Sequence, residues 1–103
     1  MSEFVKVAAA DDIPVGEMKS VRARHAKVVV CHLKDGFFAM ADECSHDYVP
    51  ISTGWVRGDN VVCPRHGAIF DIKTGEAKAP PAVAGIDVFE TKVENGDVYV
   101  LVD

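Results

Sequence analysis

No apolar run in this 103-residue sequence approaches the roughly 20 residues that cross a bilayer. Its first residues, MSEFVKVAAADD, are acidic where a signal peptide would be basic, so no membrane association is expected and the cytoplasm is the expected compartment. Basic residues are outnumbered, 11 Lys and Arg against 16 Asp and Glu, for a formal net charge of -5. That balance argues against nucleic-acid binding, which calls for a basic patch or stripe, and suits a basic protein partner. Only three cysteines are present, too few and too oddly counted for a disulfide framework in a reducing compartment. Helical periodicity is also missing, apart from a turn or two near Ala8 to Asp12. What remains is a composition that is 49% hydrophobic and 26% charged, which fits a soluble globular chain folding as a single domain over residues 1-103.

Short β-rich segments separated by turn residues fill most of the chain. Phe4 to Ala8 reads as a strand, followed by a loop through DDIPVG, where Pro14 and Gly16 discourage regular structure. Lys27 to Leu33 and Phe37 to Ala41 flank Lys34-Asp35-Gly36 as a hairpin. Ile86 to Val93 and Val98 to Val102 flank Glu94-Asn95-Gly96-Asp97 as another. Between them, Gly54 to Cys63 turns at Gly58-Asp59-Asn60, and Ala68 to Ile72 runs into Lys73-Thr74-Gly75-Glu76. This spacing predicts an all-β sandwich or small barrel of antiparallel strands. Cys31, inside the apolar run AKVVVCHL, is expected to be a small core hydrophobe.

Cys44 and Cys63 have a different setting. Cys44 and His46 are one residue apart in ADECSHDYVP, and Cys63 and His66 are two apart in VVCPRHGAIF, with 16 residues between His46 and Cys63. Both pairs fall on turns, where loops held by a rigid sheet can bring distant ligands together. Two thiolates and two imidazoles can hold a zinc ion tetrahedrally. They can equally hold a [2Fe-2S] cluster, with both cysteines on one iron and both histidines on the other. Such a cluster is formally neutral when oxidised, whereas an all-cysteine cluster carries two negative charges, so reduction is easier. Spacing favours the cluster, because a zinc finger usually groups its cysteines together and its histidines together, and here each loop supplies one of each.

The stretch CSHDYVPISTGWV followed by VVCPRHGAIFDIKTGEAKAPPA resembles a Rieske-type [2Fe-2S] ferredoxin of the low-potential kind that serves ring-hydroxylating dioxygenases. The likeness rests on Cys-x-His and Cys-Pro-x-His-Gly, and extends through Pro50, Ser52, Gly54, Phe70-Asp71, Thr74-Gly75-Glu76 and Pro80-Pro81. It implies a sandwich or small barrel with a two-loop cluster-binding subdomain, the binding loops spanning about residues 43-82. One cluster per chain is implied, with Cys44 and Cys63 on the inner iron and His46 and His66 on the outer iron through Nδ1. The far ring edges would then be the electron entrance and exit. Gly67 would let the second loop pass close to the cluster sulfides, and Pro80 and Pro81 would cover a third side. High-potential relatives carry an extra cysteine in each loop, and a serine and a tyrosine where this chain has Ala68 and Phe70. Without those hydroxyl donors, the resemblance implies a potential at the low end of the Rieske range.

The function implied is one-electron transfer by a soluble carrier, not an enzyme in its own right, moving electrons from a flavin-dependent NAD(P)H reductase to a terminal oxygenase through transient contacts. A monomer is the simplest state for such a shuttle. Two alternatives are the small subunit of an assimilatory nitrite reductase and a zinc-stabilised structural or interaction module. Ordinary surface or hydrogen-bonded roles are expected for His25 and His32, and core or partial-core packing for Trp55, Phe37 and Phe38. Arg65, between two ligands, is the candidate partner contact, and Asp47 a candidate neighbour for His46.

Overall fold

A computed structural model describes residues 2-43, 49-64, 67-79 and 84-103. Among them, eleven strands form three antiparallel sheets, in agreement with the expected all-β class. The outer sheet joins β1 (Glu3–Ala9), β11 (Asp97–Val102) and β10 (Thr91–Glu94), with β11 in the middle. The central sheet runs β2 (Met18–Ala23), β3 (Ala26–Leu33), β4 (Gly36–Ala41) and β9 (Val88–Phe89). Four three-residue strands make the third sheet: β5 (Trp55–Arg57), β6 (Asn60–Val62), β7 (Ile69–Asp71) and β8 (Ala77–Ala79). No helix among the described residues is long and apolar enough to cross a membrane.

The central sheet is covered on both faces, and that explains why AKVVVCHL lacks polar alternation. Successive strand residues point to opposite faces. Val28 and Val30 therefore join Ala39, Val98, Val100 and Ile13 in one core beneath the outer sheet. Val29, Cys31 and Leu33 join Met40, Val61, Phe70 and Ile72 in a second core shared with the small sheet. Cys31 is fully buried, as its sequence context predicted, and burial followed by the nearby Asp42 charge pushes its thiol up to about 12. It is a packed methyl-sized group with no thiolate character at neutral pH.

Both expected hairpins form, the second around Asn95 and Gly96, which take the expected positive φ angles of 53° and 80°. Two readings need correction, and one strand was missed. The run from Ile86 to Val93 is not one strand: β9 pairs with β4 in the central sheet, the chain passes through Glu90, and β10 pairs with β11 in the outer sheet. The segment crosses between layers, so its alternation belongs to two different surfaces. Strand β2 had no sequence signal because only Ala23 of its six residues is buried. Trp55, expected in or near the core, is 51% exposed, since it lies on β5 at the edge of the small sheet.

Candidate metal centre

Three connections, between β4 and β5, between β6 and β7, and between β8 and β9, contain all four candidate ligands and the Pro80-Pro81 pair. Their ends are neighbours in space. Trp55 pairs with Val62, which sets the end of the first connection beside the start of the second. Ile69 pairs with Ala79, which does the same for the second and third. The Ala41 N–H donates to the Asp87 carbonyl at 2.9 Å, bringing the end of the third back to the start of the first. Six ends thus close a ring.

Each loop base is fastened by a different device. At the first, the Asp42 carboxylate accepts the Ser52 N–H at 2.8 Å through Oδ1, and the Ser52 and Ser20 hydroxyls at 2.8 and 2.7 Å through Oδ2. At the second, the Cys63 N–H donates to the Ala68 carbonyl at 2.8 Å, closing a tight loop in which Gly67 has a φ of 73°. At the third, the Ile86 N–H donates to the Gly75 carbonyl at 2.8 Å. Two glycines permit the close approaches. A Cβ on Gly54 would stand 1.9 Å from the Val62 carbonyl oxygen, and one on Gly75 would stand 1.9 Å from that of Ile86. Gly54 is thereby what lets the first loop end lie directly on the backbone that leads into Cys63.

Of the four predicted ligands, Cys63 is described: it is 1% exposed and packs in the core with Ala68, Phe70 and Ile51. Cys44, His46 and His66 lie outside the described residues, as do Asp47, Arg65, Pro80 and Pro81. Among the described residues no group of three or more His, Cys, Asp or Glu is placed to hold a metal ion. The donor set fits an iron-sulfur cluster: a buried cysteine at the mouth of a tight loop, an apolar floor, and a second cysteine-histidine loop anchored on the same rim. Ala68 and Phe70 are both fully buried in that floor.

The non-ligand histidines behave as expected. His32 stacks on Phe37 with ring centroids 3.9 Å apart and hydrogen-bonds through Nδ1 to the Ile13 carbonyl, while His25 is exposed. Phe37 and Phe38 are half-buried, in line with partial-core packing. Sequence reasoning missed Asp42. Its signal was a carboxylate directly after a buried strand with a serine ten residues on, a pairing that only the folded chain reveals.

The Rieske [2Fe-2S] domain family matches residues 3-90. The chain is 37% identical to the ferredoxin CarAc of Metapseudomonas resinovorans, over 94% of this chain and 92% of that protein. It is also 37% identical to the ferredoxin component of biphenyl 2,3-dioxygenase from Rhodococcus jostii, over 94% and 91% respectively. Among solved structures, the complex of reduced oxygenase and oxidized ferredoxin in carbazole 1,9a-dioxygenase contains a chain that superposes with a TM-score of 0.88 at 36% identity, covering 94% of this chain and 91% of that one.

Proposed function

This chain belongs to the Rieske [2Fe-2S] family, and from that premise we propose that it carries single electrons from a flavin-dependent NAD(P)H reductase to a terminal ring-hydroxylating oxygenase. Membership assigns the cofactor as a Rieske-type [2Fe-2S] cluster and removes the zinc reading. One observation carries the proposal: two relatives named as ferredoxin component or subunit of biphenyl dioxygenases are matched over 91% and 90% of their own length.

Cys44 and Cys63 would hold one iron and His46 and His66 the other, on loops spanning about residues 43-82 of a single 1-103 domain. When bound, the cluster takes up and gives up one electron. The protein's part is to hold and shield it. Phe70, Ala68, Ile51 and Cys63 form a dry floor, and a low-dielectric site strengthens every local electrostatic effect on the potential. With Ala68 and Phe70 in place of hydroxyl-bearing residues, these two positions offer no side-chain O–H to stabilise added electron density, which supports a potential at the low end of the family range of roughly -150 to +300 mV. The chain works as a cytoplasmic monomer whose contacts are small, so that one partner is released before the next is met.

A mediated redox titration tests this reading. A midpoint at the low end of the range, with reduction by NADH and a catalytic flavin reductase under argon, is the expected result. A midpoint near the upper end, beyond the needs of a reductase-driven chain, would remove the proposed place between reductase and oxygenase.

A further inference from the structure

Asp42 is the one buried charged residue among the described residues, 5% exposed, and no cation pairs with it there. A carboxylate taken out of water without a counter-ion is costly unless its oxygens are hydrogen-bonded. Here three donors converge on it, the Ser52 N–H, the Ser52 hydroxyl and the Ser20 hydroxyl, at 2.7 to 2.8 Å. Its own N–H donates to the Lys27 carbonyl at 3.0 Å, fixing its backbone to the start of β3. The carboxylate thus ties three segments that are far apart in sequence: β2 through Ser20, the end of β4 through its own backbone, and the short 3-10 turn Ile51–Thr53 through Ser52. Residues 42 and 52 are the two ends of the loop that carries Cys44 and His46. Ile51, beside Ser52, is fully buried in the core that also contains Cys63.

Resting on the electron-carrier reading, we propose that Asp42 is a positioning residue for the bound cluster: by clamping Ser52 to Ser20 and to the end of β4, it fixes the two ends of the first ligand loop against the central sheet. A carboxylate suits this post better than a neutral side chain. It accepts from all three donors at once, with no donor of its own to misdirect, and hydrogen bonds to a charged acceptor are the stronger kind. The neighbouring Gly54 contact with the Val62 carbonyl holds the same loop end against the second loop, so the clamp and the close approach act on adjacent residues. The charge also reaches the core side of the central sheet, where it contributes to the raised pKa of Cys31.

The test compares cluster-loaded wild type with Asp42→Ala, Asp42→Asn, Ser52→Ala and a control, Val30→Ala, which removes packing from the other core. Cluster loss into a chelator is followed by visible absorbance, and the reduced paramagnetic resonance spectrum is recorded for each. Loss should be about tenfold or more faster in Asp42→Ala, equivalent to losing one or two net hydrogen bonds, with altered g anisotropy. Asp42→Asn should recover to within about threefold of wild type, since its amide oxygen still accepts the Ser52 N–H and the hydroxyls can rotate to accept from its NH2. Val30→Ala should lower the melting temperature and leave both cluster readouts at wild-type values. Wild-type loss rate and spectrum in Asp42→Ala would overturn the proposal, as would equal acceleration in Val30→Ala at a matched melting temperature. Should Asp42→Ala not fold, Ser52→Ala decides the matter by the same two readouts. Wild-type protein without iron and sulfide would instead overturn the carrier reading itself, before any variant is compared.

Discussion

The two cores on either side of the central sheet are built by different means. The core beneath the outer sheet is filled by Val28, Val30, Val98, Val100, Val102, Ala8, Ala23, Ala39 and Ile13, drawn from strands of six to eight residues and one adjacent loop. The core shared with the small sheet adds to residues of β3 and β4 a set of three-residue strands, a phenylalanine, two buried cysteines, two glycine close approaches and a hydrogen-bonded carboxylate. Apolar burial is non-directional and tolerates exchange of similar volumes. Hydrogen bonds and backbone approaches that only glycine permits fix position and do not. The first core can keep the chain folded with ordinary packing, while the second must also bring the ends of two loops together, and its components are those that fix position.

The largest effect that would sharpen this contrast is expected from the ligands. Cys63→Ser or His66→Ala should reduce cluster content to near zero, measured as iron and acid-labile sulfide per chain, while circular dichroism still reports the β-sheet signal of the outer and central sheets. Collapse of that signal would mean that the two halves are not separable. Next in size is Ile13→Ala in the outer core, with a stability loss of about 2–5 kcal/mol by denaturant titration and no change in the reduced spectrum. Gly54→Ala should cost a similar amount, about 3 kcal/mol or more, because the new methyl would meet the Val62 backbone carbonyl, which has no side-chain freedom to move aside. Unlike Ile13→Ala, it should perturb the spectrum, and equal spectra for the two variants would break the comparison.

A finer effect is expected from restoring hydroxyls to the floor. Ala68→Ser and Phe70→Tyr should each raise the midpoint potential by roughly 20–60 mV, the equivalent of a hydrogen bond worth about 0.5–1.5 kcal/mol in favour of the reduced form. The smallest effect belongs to the surface. Lys73, hydrogen-bonded to Asp35, holds that carboxyl below the usual carboxylate range, and the ammonium is raised in turn. Because the folded-state value is lowered, any stabilisation is present above the ordinary carboxylate pKa of about 3.9 and is lost as the pH falls below it. Both groups are in water, so Asp35→Asn should leave the melting temperature at pH 7 nearly unchanged, and less affected still in high salt.

The same division governs what could be read from the chain before folding. The apolar core of β3 and β4 and the hairpin at Asn95-Gly96 were legible because periodicity and turn chemistry are local. Cys31 was legible as a core residue for the same reason. The Cys-x-His and Cys-Pro-x-His-Gly pattern marked the ligand loops because metal chemistry allows few residue types at few spacings. Asp42 was not legible, since its partners Ser20 and Ser52 lie 22 and 10 residues away and nothing short-range distinguishes them. Trp55 misled because a large aromatic is usually buried, and whether a three-residue strand lies at a sheet edge is decided by the whole topology. The break at Glu90 was hidden likewise, because a run of alternating residues does not announce that it changes sheets.

The most direct measurement is metal and sulfide content of the freshly purified chain together with its paramagnetic resonance spectrum after chemical reduction. The account predicts two irons and two acid-labile sulfides per chain, with a reduced signal whose average g lies clearly below that of an all-cysteine cluster. One zinc without sulfide, persisting after anaerobic reconstitution with iron and sulfide, would contradict it.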